Sequence, residues 1–144
     1  MKKGKIVIVD DELSMVEFLS NMLIQDGYQV ESTTDGKQAI DLVRANSPDI
    51  VISDIKMSPL NGLQILKQVK QINPEINVIM ITAFGSIEGA VGAVKDGAYD
   101  YITKPFKIEN IRSVIKRALS TRRLITRDES IQAELKEKYG FSNI

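Results

Sequence analysis

Short apolar runs alternate along this chain with longer stretches in which apolar residues recur every three or four positions. The runs cover residues 5–9, 28–32, 49–54, 76–81 and 99–102. Several of them are rich in isoleucine and valine, which is typical of parallel strands buried on both faces. Strands and amphipathic stretches that alternate through five repeats predict an α/β fold, in which right-handed crossovers place helices on both faces of a parallel sheet.

Helical periodicity and turn residues delimit the predicted helices. One covers residues 12–25, a second starts at Asp35 with a glutamine three positions later, and a third covers residues 63–72. The segment 85–97 has helical spacing but contains four glycines, each of which costs roughly 1 kcal/mol relative to alanine. We expect it to be the least stable helix. No proline or glycine interrupts residues 108–139, which predicts an extended C-terminal helix.

Acidic residues stand at the ends of two of the predicted strands. Asp54 ends the third run, and Asp10 and Asp11 follow the first. Because the carboxyl ends of parallel strands meet at one edge of the sheet, these three carboxylates are expected to lie together. Like charges so placed repel one another and raise one another's pKa unless a cation lies between them. The sequence therefore predicts an oxygen-lined site for a hard divalent metal ion, with Asp54 as the reactive group.

The composition is typical of a single globular domain. With 144 residues, of which 43% are hydrophobic and 26% charged, the chain is long enough to bury one substantial core. It has no cysteine and no histidine, which excludes disulfides, zinc sites that need these residues, histidine-based triads and a phosphohistidine on this chain. No apolar run approaches the ~20 residues of a membrane span, and residues 1–4 are expected to lead straight into the first strand rather than to form a signal peptide. We therefore expect a cytoplasmic protein with no membrane partner.

The charges are distributed unevenly, although the formal net charge is zero. Residues 1–106 carry 10 basic and 14 acidic side chains, residues 107–127 have net +6, and residues 128–144 have net −2. This asymmetry indicates that the C-terminal third has a different role from the body. The basic stretch is interpreted as a solvated helix face or as a source of ion pairs between subunits, and direct nucleic-acid binding is not expected.

Five motifs, in order along residues 4–120, resemble the receiver domain of bacterial two-component response regulators. They are Val9-Asp10-Asp11-Glu12, the strand-end Asp54, the loop 57–62, the pair Thr82-Ala83 and the turn Lys104-Pro105-Phe106. The resemblance implies a flavodoxin-like (βα)5 doubly wound parallel sheet with strand order 2-1-3-4-5. It also implies a regulatory domain rather than an enzyme. The loop departs from the family pattern, because Ser58 follows Met57 and the usual proline comes one position later.

By the same resemblance, Asp54 accepts a phosphoryl group from the phosphohistidine of a partner histidine kinase. Asp11 and Asp54 are implied to bind Mg²⁺ directly, together with the backbone carbonyl of Lys56, and Asp10 is implied to act largely through water. These ligands suit Mg²⁺, which prefers octahedral oxygen coordination and retains several waters. No general base is needed, because an ionised carboxylate is already the nucleophile.

The resemblance assigns the remaining site residues to the phosphoryl group and to a switch. Lys104 and the Thr82 hydroxyl are implied to contact phosphoryl oxygens, with the Ala83 amide nearby. After phosphorylation, Thr82 is expected to move toward the phosphoryl group and Tyr101 to turn inward, while the glycine-rich segment changes its arrangement. The Lys104–Pro105 peptide bond is expected to be cis.

The C-terminal third is expected to connect the domain to its output. Residues 1–120 are predicted to form the receiver domain, 121–139 a helical linker that is a candidate dimer coiled coil, and 140–144 the start of a truncated output domain. The last ten residues resemble the join between linker and ATPase domain in nitrogen-regulator-type activators of sigma-54 RNA polymerase. No P-loop motif occurs, so the chain is not itself the ATPase. The resemblance implies a homodimer, through the switch face or the last helix, that controls transcription through ATPase and DNA-binding domains outside this sequence.

Two other functions fit parts of the pattern. A phosphatase of the haloacid-dehalogenase type also uses an aspartyl nucleophile, but that family places a second acid two residues later, where this chain has Lys56. The other is a stand-alone receiver whose basic C-terminal helix binds a protein or nucleic acid directly. Salt-dependent DNA binding by the 144-residue chain would favour it, whereas tight dimerisation without DNA affinity would favour the linker.

Overall fold

The computed structural model describes residues 4–55, 60–82 and 97–120. Its strands are β1 (Lys5–Val9), β2 (Gln29–Thr33), β3 (Ile50–Asp54), β4 (Asn77–Thr82) and β5 (Asp100–Thr103). Its helices are α1 (Leu13–Gln25), α2 (Gly36–Asn46), α3 (Gly62–Ile72) and α4 (residues 108–120). Residues 85–96 of the glycine-rich segment and the stretch beyond residue 120, where we predict a further helix and a linker, lie outside the described residues.

The five strands form one parallel sheet in the order β2-β1-β3-β4-β5. This order confirms the predicted flavodoxin-like fold. The first two strands in sequence are neighbours, and the chain then crosses to the other side of β1 to add β3, β4 and β5. The sheet therefore has its topological switch point between β1 and β3, where open α/β sheets place their functional sites.

The alternation of side chains along the central strands supplies a separate core on each face of the sheet. On one face, Ile6 and Ile8 of β1 and Ile50 and Ile52 of β3 pack with buried residues of α1 and α4. On the other face, Val7, Val9 and Val51 pack with buried residues of α2 and α3. Both faces of β1 and β3 are thus covered, so the ends of these strands are held in fixed positions.

Polar side chains define where α2 and α3 begin. Asp35 is the N-cap of α2 and accepts a hydrogen bond from the Lys37 amide at 2.9 Å. The side chain of Gln38 does not complete a capping box there; its Oε1 accepts a hydrogen bond from the Thr33 hydroxyl at 2.6 Å. The capping box of this fold lies at α3 instead, where Asn61 and Gln64 exchange two hydrogen bonds of 2.9 Å.

Four strands begin one residue later than the sequence pattern predicts, at Gln29, Ile50, Asn77 and Asp100. The apolar residues that precede β2, β4 and β5 are buried, or packed against the core, but their backbones still belong to turns. The Tyr28 amide, for example, donates to the carbonyl of Leu23 at the end of α1, and the Ile76 amide donates to that of Asn73. Side-chain burial therefore begins before strand pairing does, and a hydrophobicity pattern reports only the burial.

Candidate functional site

Three carboxylates meet at the carboxyl ends of β1 and β3, as the sequence predicts. Asp10 and Asp11 follow β1, and Asp54 is the last residue of β3. One oxygen from each of the three side chains lies within 4.8 Å of the other two. Asp10 is 2% exposed and Asp54 8% exposed, whereas Asp11 is exposed to solvent. Two largely desolvated acids and one exposed acid thus form a cluster at this edge of the sheet.

Lys104 brings a positive charge to this cluster from the end of β5. Its Nζ lies 2.8 Å from Asp10 Oδ2, 3.5 Å from Asp54 Oδ2 and 3.9 Å from Glu12 Oε2. The backbone amide of Lys104 donates to the Thr82 carbonyl at 2.7 Å, and the Lys104–Pro105 peptide bond is cis, as predicted. The side chain of Lys104 thus extends from the end of β5 past β4 to the carboxylates.

The electrostatic environment favours the charged form of Lys104. Burial of the ammonium would by itself lower the pKa of Lys104, but the hydrogen bond to Asp10 and the charges of Asp10, Asp54 and Glu12 outweigh that effect and raise the pKa. The side chain is only 13% exposed, so solvent screens these interactions weakly. Lys104 therefore remains a cation throughout the physiological pH range.

Both oxygens of Asp10 have partners. While Oδ2 accepts from Lys104, Oδ1 accepts a hydrogen bond from the Glu12 amide at 2.9 Å. The backbone amide of Asp10 in turn donates to the carbonyl of Thr33 at 3.4 Å. Glu12, which the sequence analysis noted only as part of a motif, thus both orients Asp10 through its backbone and adds negative charge near Lys104.

Asp54 is positioned through the backbone on either side of its carboxylate. The hydroxyl of Ser53, which is fully buried, donates to the Asp54 carbonyl at 2.9 Å. The Ile55 amide donates to the carbonyl of Ile81 in β4 at 3.1 Å, and the Ile55 carbonyl accepts from the Gly62 amide at 2.9 Å. Sequence reasoning missed these roles of Ser53 and Gly62. The sequence offered a signal only for Ser53, which is the single polar residue before Asp54 in the otherwise apolar run of residues 50–53.

The remaining predicted site residues lie on neighbouring strands or outside the described ranges. Thr82 ends β4 and is 5% exposed, and Tyr101 on β5 is 37% exposed. Thr82 therefore lies at the same edge of the sheet as Asp54, while the Tyr101 side chain is partly in solvent. Lys56, Ala83 and Ser58, the loop residue at which the sequence differs from the family pattern, lie outside the described residues.

The donor atoms of the cluster suit a hard cation. All three side chains offer carboxylate oxygens, which Mg²⁺ and similar ions prefer over nitrogen or sulfur. The exposed Asp11 leaves one side open, so an ion held here would keep part of its water shell. The residues present therefore fit a divalent metal site of the kind that the sequence predicts.

A comparison with family models matches residues 6–116 to the response regulator receiver domain. The chain belongs to this family. The match covers both strands that carry the carboxylates as well as the strand that precedes Lys104. Receiver domains are components of two-component signalling systems, and this one carries its acidic cluster at the switch point of the sheet.

Curated relatives of this receiver domain include transcriptional regulators. The transcriptional regulatory protein ZraR of Escherichia coli O157:H7 is 38% identical over 120 residues, which are 83% of this chain and 27% of that protein. The DNA-binding transcriptional regulator NtrC of Escherichia coli K12 is 35% identical over 120 residues, 83% of this chain and 26% of that protein. The chain thus spans about a quarter of the length of these relatives.

Solved structures show the same fold. NtrX from Brucella abortus, in complex with ADP, has a TM-score of 0.85 and 34% identity, covering 91% of this chain and 30% of that one. A response regulator receiver domain protein from Clostridium thermocellum has a TM-score of 0.80 and 31% identity, covering 85% of this chain and 98% of that one. Across residues 4–55, 60–82 and 97–120, no helix combines the length and apolar character that crossing a membrane requires.

Proposed function

We propose that this receiver domain is a phosphoacceptor switch, in which Asp54 accepts a phosphoryl group from a histidine kinase. The observation that carries the proposal is the cluster itself. A nearly buried Asp54 lies with Asp10 and Asp11 within metal-ligating distance, and the Lys104 ammonium is 3.5 Å from Asp54. A purely structural acid at a strand end needs neither two further carboxylates nor a cation from a distant strand.

In the transfer, an Asp54 oxygen forms a bond to phosphorus while the bond between phosphorus and the kinase imidazole nitrogen breaks. The carboxylate attacks in its ionised form, so no proton has to be removed from it. Lys104 stabilises negative charge on the phosphoryl oxygens, and the Thr82 hydroxyl and Ala83 amide donate hydrogen bonds to them. Burial of Asp54 limits the access of bulk water, which would otherwise compete with the carboxylate as the nucleophile that attacks the phosphoryl group.

In this proposal Mg²⁺ is held by Asp11, Asp54 and the Lys56 carbonyl, with Asp10 acting largely through water. The ion supplies positive charge that offsets the charge of the phosphoryl oxygens. The chain's contribution is to hold three carboxylates in one place, and Asp10 is fixed there by Lys104 and by the Glu12 amide. When both the ion and the phosphoryl group are bound, Lys104 has the phosphoryl oxygens as partners in addition to Asp10.

The output of the switch is proposed to be control of transcription by a cytoplasmic regulator. Phosphorylation draws Thr82 toward Asp54 and lets Tyr101 turn inward, and this shifts a homodimer formed through the switch face or the C-terminal helix. In this proposal residues 121–139 are the helical linker and residues 140–144 are the start of a truncated output domain. The names of ZraR and NtrC as transcriptional regulators support this output, as does the resemblance of the last ten residues to sigma-54 activators.

The test of this function is phosphoryl uptake measured by intact mass. The 144-residue chain is incubated with acetyl phosphate and Mg²⁺, beside Asp54→Asn and beside a sample that contains EDTA. The expected result is a gain of one phosphoryl group by the wild type in the presence of Mg²⁺, and no gain by Asp54→Asn or by the sample with EDTA. No gain by the wild type, or an equal gain by Asp54→Asn, would refute the assignment of Asp54.

DNA binding by a stand-alone receiver receives no support from the described part of the basic helix. Arg112 of α4 forms two contacts with Asp26, of 2.8 and 3.2 Å, and Arg117 lies 3.7 Å from Asp100. These arginines are therefore partly neutralised within the domain. Titration of the chain into duplex DNA at low and high salt is expected to show no salt-dependent binding.

A further inference from the structure

Gly62 lies where the start of α3 touches the end of β3. It is the first residue of α3, it is buried, and its amide donates a 2.9 Å hydrogen bond to the carbonyl of Ile55. This hydrogen bond joins the residue after β3 to the first turn of α3, so that the two ends of the intervening loop lie next to each other. The first turn of the helix is thereby seated directly on the peptide that follows Asp54.

A side chain at position 62 would have no space. A Cβ atom there would overlap the backbone carbonyl oxygen of Asp54, and it would lie 2.6 Å from Met80 Cε and 2.8 Å from Ile55 Cα. Two of these three neighbours are backbone atoms, which cannot rotate away as the end of a side chain can. Alanine is in general the better helix former. Glycine is required at this position because two backbones approach each other closely.

The Asp54 peptide cannot yield easily to such a side chain. β3 is hydrogen-bonded to β1 on one side and to β4 on the other, and the Ile55 amide bonds to the Ile81 carbonyl. The Asp54 carbonyl also accepts a hydrogen bond from the buried hydroxyl of Ser53. Either α3 must move outward, which breaks the bond from Gly62 to Ile55, or the Asp54 peptide must rotate, which redirects the carboxylate on the same residue.

We propose that Gly62 is a positioning residue for Asp54: its missing side chain lets α3 fix the Asp54 peptide, and so fixes the Asp54 carboxylate relative to Asp10 and Asp11. This inference rests on the proposed function of Asp54 and adds a residue to it. Phosphoryl transfer depends on the placement of the attacking oxygen, and displacements of about 1 Å lower rates by up to ~100-fold. Gly62→Ala is therefore expected to slow phosphoryl uptake at Asp54 at least tenfold.

Gly36 offers a matched control. It is also the first, buried residue of a helix behind a polar N-cap, and a Cβ there would meet Leu60 at 3.0 Å without contacting Asp54. Gly36→Ala is expected to lower the melting temperature but to leave the uptake rate close to that of the wild type. A second variant, Met80→Val, removes the side-chain part of the overlap at Gly62 and keeps both backbone contacts.

The experiment compares wild type, Gly62→Ala, Gly36→Ala, Met80→Val and the pair Gly62→Ala/Met80→Val. For each protein, the acetyl phosphate uptake rate at saturating Mg²⁺, the Mg²⁺ dissociation constant by calorimetry, and the melting temperature are measured. The expected result is slow uptake and weaker Mg²⁺ binding in both proteins that carry Gly62→Ala, including at temperatures where each is fully folded. The rate and the dissociation constant are the readouts that a purely structural role would leave unchanged.

Three outcomes overturn the proposal. Uptake by folded Gly62→Ala at the wild-type rate would show that Asp54 does not depend on this glycine. Recovery of the rate in the pair with Met80→Val would assign the effect to core packing. Loss of cooperative unfolding in both Gly62→Ala proteins would show that the glycine supports the fold as a whole. Failure of the proposed function would differ from all three, since the wild type itself would then take up no phosphoryl group.

Discussion

Lys104 places its ammonium between Asp10 and Asp54, at 2.8 and 3.5 Å. It therefore offsets the repulsion between carboxylates that the fold holds together. In the proposed function, the same charge becomes available to phosphoryl oxygens once Mg²⁺ adds positive charge to the cluster. A single side chain thus serves the stability of the resting domain and, in the proposed function, the chemistry of the phosphorylated one.

Replacing Lys104 by methionine is expected to destabilise the metal-free domain by about 3 kcal/mol near pH 8, because Asp10 would remain buried without its partner. The pKa of Lys104 is raised in the folded state, so its contribution is complete below the unfolded value of about 10.4 and is lost as pH rises through the folded pKa. The stability difference between wild type and Lys104→Met should therefore shrink above pH ~10.4. Urea unfolding of both proteins in EDTA between pH 8 and pH 11.5 measures it, and a constant difference would contradict the assignment.

Asp11 allows the metal to be tested with little effect on the fold. It is exposed, and it makes no hydrogen bond or salt bridge with the described residues of the chain. Asp11→Asn is expected to keep the metal-free melting temperature of the wild type and to lose most of the stabilisation that Mg²⁺ provides, which grows as RT ln(1 + [Mg²⁺]/Kd). Thermal melts over a Mg²⁺ series measure both quantities. Equal stabilisation of mutant and wild type would exclude Asp11 as a ligand.

Among the elements, α3 connects ordinary helix capping to the proposed phosphorylation site. Its capping box, Asn61 with Gln64, fixes the first turn that Gly62 seats against the Asp54 peptide. Asn61→Ala is expected to cost about 1 kcal/mol of stability, because the Gln64 amide loses its acceptor. Urea unfolding measures this cost, with Gln71→Ala, an exposed truncation near the end of the same helix, as the control. Equal effects of the two variants would show that the cap contributes nothing particular.

The elements also show what the sequence could and could not predict. β1 has the predicted bounds and β3 the predicted end, because a continuous apolar run ends abruptly in acid at Asp10 and at Asp54. The meeting of Asp10, Asp11 and Asp54 follows from strand order and could be predicted. The partners of Gln38 and the capping box of Asn61 could not, since each depends on how a loop folds back. Similarly, the need for glycine at position 62 appears only when two backbones are placed side by side.

At the scale of the whole molecule, α4 completes the domain before residue 120. Residues of α4 from Ile111 to Leu119 are part of the core on one face of the sheet. Asn77 at the start of β4 donates a 2.9 Å hydrogen bond to the Ala118 carbonyl, and Arg112 pairs with Asp26 after α1. The helix is therefore tied to both β4 and the end of α1.

A chain that ends at residue 120 is therefore expected to fold, and to take up a phosphoryl group at the rate of the 144-residue chain. If residues 121–139 are a dimer linker, as proposed, the short chain should also be monomeric under conditions in which the long chain dimerises. Sedimentation equilibrium of both chains, with and without acetyl phosphate, measures the difference. A dimeric short chain would place the interface on the receiver domain itself.

In the proposed function the carboxylate of Asp54 carries the phosphoryl group, and this can be tested by trapping the acyl phosphate. The chain is phosphorylated with acetyl phosphate and Mg²⁺ and reduced with borohydride, which converts an aspartyl phosphate to homoserine, and its peptides are then sequenced by mass spectrometry. We expect homoserine at position 54, and none there when the phosphodonor or Mg²⁺ is omitted. Homoserine at Asp10 or Asp11 instead, or at no position of a chain that has bound Mg²⁺, would contradict it.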